Sequence, residues 1–256
     1  MKIALVTGAS SGLGREFVRQ IAEQGKVEEI WAIARRRDRL EALQSISAVP
    51  IRVLALDLTR PGDMEYLRNT LQDELPDIRI LVNAAGMGRM GPTVDIPAKD
   101  NDAMIDLNCR ALTEMTHICL PFMKKGSRII QLASSAAFLP QPGFAVYAAG
   151  KAYVLSFSRA LGEELCSQGI YVTAVCPGPV DTPFFERAEQ KASTLAIKKY
   201  TMVKAEKVVR DALKASAKRR SISVCSLPIK AFFLLTKLLP HSVILHILRL
   251  FPAKKN

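Results

Sequence analysis

The sequence predicts an α/β fold: a doubly wound parallel sheet of seven strands with helices on both faces. Three observations predict it. Seven short runs rich in β-branched and apolar residues recur along the chain, at residues 3–6, 30–33, 51–56, 78–82, 128–132, 170–175 and 221–225. Several are almost continuously apolar, as strands covered on both faces have to be. Between them lie longer amphipathic patterns, at residues 15–24, 39–45, 64–75 and 103–123. Strands alternating with helices close a parallel sheet. The chain has 256 residues, 49% of them apolar, which suits one such core. It shows no internal repeat, low-complexity tract or linker, so residues 1–226 are expected to form one domain. Residues 227–256 read as helix, break at Pro240, helix and a basic end: a C-terminal helical extension without a core of its own.

The first strand runs directly into Thr7-Gly8-Ala9-Ser10-Ser11-Gly12-Leu13-Gly14, and this loop opens the first helix. Glycines 8, 12 and 14 permit a tight turn and let backbone N–H groups approach a pyrophosphate. The helix N-terminus adds a favourable field for the anion. Strand, glycine-rich loop and helix in that order make a Rossmann-type dinucleotide site; an ordinary glycine turn is the plainer alternative. The end of the second strand should choose the cofactor. A carboxylate there holds the ribose 2′-hydroxyl of NAD, and arginine accommodates the 2′-phosphate of NADP. Here Trp31-Ala32-Ile33-Ala34 leads into Arg35-Arg36-Arg37, with no carboxylate before Asp38. Guanidinium forks match phosphate oxygens, so NADP(H) is favoured over NAD(H), with Arg35 and Arg36 as the expected clamp. A solvated basic turn is the alternative.

Tyr147-Ala148-Ala149-Gly150-Lys151 places a phenol and an ammonium four residues apart, on one face of a helix. A nearby cation stabilises phenolate and lowers a tyrosine pKa from about 10, so that the phenol can exchange a proton near neutral pH. Ser134 stands thirteen residues earlier, at the end of the fifth strand, where its hydroxyl could hold a substrate oxygen beside the phenol.

Taken together these stretches resemble the short-chain dehydrogenase/reductase family over residues 2–226, and within it a bacterial subgroup with a basic, apolar C-terminal extension. The glycine motif matches the family's TGxxxGxG. Asp57, followed by Leu58, matches its adenine-contacting acid. Asn83-Ala84-Ala85-Gly86 matches its NAG stretch, and Asn108 matches the asparagine of its proton relay. Pro177-Gly178-Pro179-Val180-Asp181-Thr182 matches its PG segment, whose threonine contacts the nicotinamide carboxamide. The resemblance implies hydride transfer between nicotinamide C4 and a carbonyl carbon, with Asn108, Ser134, Tyr147 and Lys151 as the catalytic residues. Ser134 would polarise the carbonyl and Tyr147 would protonate the alkoxide. Lys151 would lower the Tyr147 pKa and hold the ribose, and Asn108 would seat a water connecting Lys151 to solvent. It further implies a cofactor site made by Gly8, Ser10, Ser11, Gly12, Leu13, Gly14, Arg35, Arg36, Asp57, Leu58, Asn83, Ala84, Gly86, Tyr147, Lys151, Pro177, Gly178, Val180 and Thr182. One position departs from the pattern: the family often has serine or threonine before the lysine, and this chain has Gly150, which costs a helix interior about 1 kcal/mol.

The substrate wall is expected from residues 87–90, residues 136–144 and the loop after Pro179. Phe138, Leu139, Phe144, Phe184 and Phe185 would make it apolar, which fits a lipid-like or steroid-like ketone or alcohol; core or interface packing would explain the same aromatics. His117 reads as core or interface packing. No His, Cys or carboxylate cluster has metal-ligand spacing. The five cysteines (Cys109, Cys119, Cys166, Cys176 and Cys225) have no CxxC spacing and read as buried, reduced thiols of a cytoplasmic protein. No signal peptide and no apolar run of about 18 residues is read.

The formal net charge of +12 is unevenly placed. Residues 1–186 hold 20 basic and 21 acidic side chains, and residues 187–256 hold 16 basic and three acidic. The excess belongs to the last 70 residues. No nucleic-acid motif accompanies it, so nucleic acid is not an expected partner. Three readings of the extension stay open: a flap over the substrate, an oligomer contact, or a peripheral membrane contact through residues 228–256. The expected activity is reduction of an apolar carbonyl, or its reverse, by a homodimer or homotetramer. The alternatives are a 3-oxoacyl reductase of fatty-acid type and a non-catalytic NADP-sensing protein.

Overall fold

In the computed structural model, residues 1–184, 188 and 202–250 are described. Alternation along the first strand, β1 (Lys2–Thr7), decides how the sheet is covered. Successive strand residues face opposite sides. Ala4 and Val6 enter one apolar layer and Ile3 and Leu5 the other. Both layers are closed by helices, so each strand needs apolar residues at consecutive positions.

The chain proceeds through α1 (Gly12–Gln24), β2 (Glu29–Ala34), α2 (Arg37–Glu41), β3 (Ile51–Ala55), α3 (Pro61–Glu74) and β4 (Asp77–Asn83). It continues through α4 (Ala98–Ile105), α5 (Leu112–Cys119), β5 (Arg128–Leu132), α6 (Ala145–Cys166) and β6 (Tyr171–Val175). Then come β7 (Val180–Asp181), β8 (Val203–Lys204), α7 (Ala205–Ala217), β9 (Ile222–Ser223), α8 (Leu227–Leu238) and α9 (His241–Leu250). The main sheet has seven strands in the order β3-β2-β1-β4-β5-β6-β9, all parallel. Each apolar run read from the sequence overlaps one of them. β7 and β8 form a separate parallel pair that the sequence pattern did not indicate.

On one face Phe17, Val18 and Ile21 of α1 join Val208, Val209, Ala212 and Leu213 of α7. On the other, Met64, Leu67 and Leu71 of α3 meet Met115 and Ile118 of α5 and Leu161 and Leu165 of α6. Apart from Ala212, each such side chain, fully buried, contributes about 1.5–3 kcal/mol. The spacing of these residues at three, four and seven is why the intervening segments are helices.

One expectation needs correction. The amphipathic pattern at 103–123 is not a single helix. α4 and α5 are joined by a π-helical turn, Asp106–Ala111, and α5 ends in a 3-10 turn, Leu120–Phe122, carrying Pro121. A π turn inserts a residue without changing the apolar pattern on either side, so periodicity does not reveal it. Proline lacks the N–H that a continuing helix needs.

Strand order reverses between β1 and β4. The connections leaving their carboxyl ends therefore run to opposite faces and open a crevice there. The C-terminal extension packs on the sheet's far flank. Ile229, Phe232 and Phe233 of α8 lie against a cluster that includes Phe138, Val154, Ala174 and Cys176. No helix among the described residues is long and apolar enough to cross a membrane.

Candidate active site

The crevice holds a cavity of about 860 Å³. One end is built from the loop between β1 and α1. Gly8 has φ of +66°, and a Cβ there would lie 2.8 Å from the Ala85 backbone nitrogen. A Cβ on Gly14 would come within 2.3 Å of the Gly8 carbonyl oxygen. Backbone cannot move aside as a side chain can, so both positions require glycine. Thr7 pins the adjoining strand: its Oγ1 accepts from the Ala84 and Ala85 N–H groups at 3.0 and 3.1 Å. The result is a narrow floor on which backbone N–H groups and the start of α1 face an anion.

Arg36 lies over this floor. Its Nη2 donates to Ser10 Oγ at 2.9 Å and to Ser11 Oγ at 3.2 Å. Arg35 is more exposed and stands 3.8 Å from Asp57 Oδ2. Asp57 accepts at Oδ1 from the Thr59 N–H and hydroxyl, at 3.1 and 2.7 Å. Burial works to raise the Asp57 carboxyl, but these hydrogen bonds and Arg35 hold it below the usual carboxylate range. Thr59 also lines the cavity and was not singled out from the sequence. Its signal is the Asp57-Leu58-Thr59 spacing, which suits a carboxylate bonding the backbone two residues on.

Gly8, Ser10, Ser11, Gly12, Leu13, Gly14, Arg35, Arg36, Asp57, Leu58, Ala84, Gly86, Ser134, Tyr147, Lys151, Pro177, Gly178, Val180 and Thr182 all line this cavity. Asn83 does not. Its side chain is buried, and its Nδ2 donates to Thr116 Oγ1 of α5 at 3.1 Å. Asn108 is also set back from the cavity. Its amide clasps Met87, accepting the Met87 N–H at 2.9 Å and donating to the Met87 carbonyl at 2.8 Å. Its Oδ1 and Lys151 Nζ lie 3.1 and 3.6 Å from where a Gly86 Cβ would stand. Asn108 therefore fixes the Gly86–Met87 backbone beside Lys151. The side-chain amide is engaged by that backbone.

At the other end stand Ser134, Tyr147 and Lys151. Ser134 closes β5 in an extended conformation, and its Oγ accepts from the Ala136 N–H at 3.1 Å. Tyr147 and Lys151 share one face of α6, as their spacing predicted, with Lys151 Nζ 5.6 Å from the Tyr147 ring centroid. Both are buried. Burial pushes the Tyr147 phenol up to about 12, opposed by its hydrogen bond with Ser134. Burial also brings Lys151 down to about 8. Its ammonium donates to the Leu132 carbonyl at 2.6 Å. This differs from the expectation that Lys151 lowers the Tyr147 pKa. Both groups are out of water, so desolvation disfavours the charged form of each, and a lysine that discharges near pH 8 lends a phenolate less support.

Gly150 has a packing reason. A Cβ there would sit 3.3 Å from Cys109 Sγ in the π turn. Glycine lets α6 approach the turn that carries Asn108. Burial of the Cys109 thiol raises its pKa, with Lys151 opposing. Cys119, Cys176 and Cys225 are buried as expected, but Cys166 is exposed. His117 is exposed as well, on the outer face of α5, so it does not pack in the core.

Apolar side chains roof the catalytic end. Phe144 stacks on Tyr147 with centroids 4.1 Å apart, and Phe184 tilts against the same ring at 5.6 Å. Met87 and Met90 complete this cluster. Arg89 reaches the same wall and pairs with Asp100 of α4 at 3.3 Å. Two expectations for the apolar wall change. Phe138 and Leu139 are buried and do not line the cavity. Phe138 instead packs on Phe232 and Phe233 of α8, at 6.2 and 4.7 Å. It turns away because the 3-10 turn Ser135–Phe138 follows Ser134 directly and points its last side chain to the sheet's flank. Phe185 lies outside the described residues. Among the described residues none from 227 to 247 lines the cavity; α8 packs behind it, on the Phe138 side. Its Ile229 Cδ1 would touch a Cβ on Gly178 at 2.8 Å.

Comparison with known proteins agrees with this geometry. The family model for short chain dehydrogenases matches residues 2–193. Serine 3-dehydrogenase from Agrobacterium fabrum is 35% identical over 182 residues, covering 70% of this chain and 72% of that protein. A short-chain dehydrogenase from Sphingobium yanoikuyae, solved in complex with NADPH, superposes with a TM-score of 0.78 at 29% identity, covering 93% of this chain and 92% of that one. The bulky-bulky ketone specific alcohol dehydrogenase from Comamonas testosteroni gives 0.73 at 27% identity, covering 94% and 95%. The family match, the shared identity and the common fold point the same way: this chain belongs to the short-chain dehydrogenases.

Proposed function

We propose that the protein interconverts a hydrophobic ketone and a secondary alcohol with NADP(H). The observation that carries the substrate class is the apolar roof of Phe144, Phe184, Met87 and Met90 over the Tyr147 phenol. A bulky apolar group beside the reacting carbonyl would bury against it at about 25 cal/mol per Å². The likeness to a dehydrogenase described as specific for bulky-bulky ketones supports this class.

A dinucleotide suits the residues present. Glycine at 8 and 14 lets backbone pass against backbone, which makes the β1–α1 loop tight enough to cradle a pyrophosphate. Arg36, tied to Ser10 and Ser11, offers a fork beside the ribose, as a 2′-phosphate requires. Lys151, near the Tyr147 ring, and Thr182, which packs beside Gly12, line the same cavity. When bound, the cofactor supplies the hydride, or receives it in the reverse direction.

The chain's own groups divide the remaining work. Ser134 Oγ holds the substrate oxygen beside the Tyr147 hydroxyl. Tyr147, neutral because burial raises it to about 12, is a proton donor in the reductive direction. Lys151 places an ammonium near the ring on which negative charge develops. Asn108, through Met87, holds the backbone against which Lys151 is set. Phe144 and Phe184 exclude water, which strengthens each of these interactions.

The test is a substrate panel followed by NADPH absorbance. Bulky aliphatic and steroid-like ketones should be reduced with the highest kcat/KM. A clear preference for 3-oxoacyl thioesters, or NADP-dependent oxidation of serine above all others, would overturn the substrate class. NADPH binding with no turnover of any carbonyl would leave a cofactor-sensing protein.

A further inference from the structure

We propose that the outer face of α8 and α9 docks on an anionic lipid bilayer. α8 is apolar on two opposite sides. Ile229, Phe232 and Phe233 face the body of the protein. Leu227, Ala231, Leu234 and Leu238 recur at helical spacing on the other side, and Leu227 and Leu238 are 79% and 70% exposed. Leu239, Val243 and Ile247 continue this exposed surface into α9, whose Ile244 is buried. A helix that is apolar all round is normally covered all round, and contiguous exposed apolar surface marks a place of contact.

The charge around the stripe selects the occupant. Lys230 and Lys237 are exposed at its margins. From residue 227 to the end the sequence holds Lys230, Lys237, Arg249, Lys254 and Lys255 and no Asp or Glu. A second copy meeting this face symmetrically would bring the same cations together with no carboxylate from the segment to offset them. Anionic headgroups offset them, while the leucines enter the acyl boundary. α8 has 12 residues and α9 has 10, each too short to span a bilayer and suited to lying in its interfacial plane. The docking does not depend on which carbonyl the enzyme reduces.

The test uses the full chain and sedimentation with vesicles of phosphatidylcholine alone or mixed with phosphatidylglycerol. The protein should pellet with the mixed vesicles, much less with phosphatidylcholine alone, and release as salt is raised. Leu234→Ser with Leu238→Ser should weaken partition by about tenfold or more. Lys230→Glu with Lys237→Glu should weaken it by about fivefold or more per side chain. Circular dichroism and NADPH binding report whether each variant is folded. Absence of pelleting, or pelleting that the folded variants retain, overturns the proposal. A dimer that Leu234→Ser and Leu238→Ser dissociate, in a protein that ignores both vesicles, would assign the face to self-association instead.

Discussion

Arg36→Ala separates cofactor choice from the folding of the glycine loop. Arg36 Nη2 is held by Ser10 and Ser11 at 2.9 and 3.2 Å, which fixes its guanidinium over the glycine loop in the cavity wall. In that position it would meet the 2′-phosphate of NADPH and nothing equivalent on NADH. Hydrogen bonds to a charged group are worth about 1.5–3 kcal/mol. Arg36 is half-buried, so the lower part of that range applies, and about 1.5–2 kcal/mol corresponds to about a 13- to 30-fold loss. KM for NADPH should rise by that factor, while KM for NADH changes by less than about threefold. Arg35→Ala should cost less, about fivefold, because Arg35 is 75% exposed and its contact with Asp57 is long. Steady-state kinetics with both cofactors on one ketone gives the answer. Equal losses for NADPH and NADH would mean that Arg36 only braces the loop, and no loss with NADPH would refute the clamp.

Two further predictions follow from burial. Lys151 sits near 8 and is charged below that pH, so reductive kcat/KM should fall as pH rises through about 8, whereas Tyr147, near 12, stays a donor throughout; a profile flat from about pH 6 to 10 would contradict this. Phe138→Ala removes a buried ring wedged against Phe232 and Phe233, so chemical denaturation should show a loss of about 3–5 kcal/mol, and a loss below about 1 kcal/mol would mean that α8 does not brace the Ser134 turn.

Much of this protein was legible because burial on both sides leaves a mark in sequence. Residues such as Ile3, Ala4, Leu5 and Val6 are consecutive and apolar only because both faces of β1 are covered. Gly8 and Gly14 were legible for a related reason: their neighbours are backbone, and no other residue fits. The π turn was hidden, because residues 106–111 keep an amphipathic composition whichever hydrogen-bond pattern they adopt. Phe138 was misplaced, since an aromatic four residues after Ser134, at the end of the turn, can point either way and only the packing of α8 decides. The raised Tyr147 phenol was equally beyond reach. Spacing shows that a lysine is near a tyrosine, but not how far both are removed from water.

The central claim is that Tyr147 passes the proton in an NADPH-dependent carbonyl reduction. Tyr147→Phe keeps the ring that stacks on Phe144 and removes only the hydroxyl beside Ser134. The decisive measurement pairs NADPH affinity, read by fluorescence titration, with single-turnover reduction of the best ketone from the panel. The account predicts affinity within about threefold of the parent and a rate lower by about 10²-fold or more. A rate within a few-fold of the parent, with NADPH still bound, would contradict it.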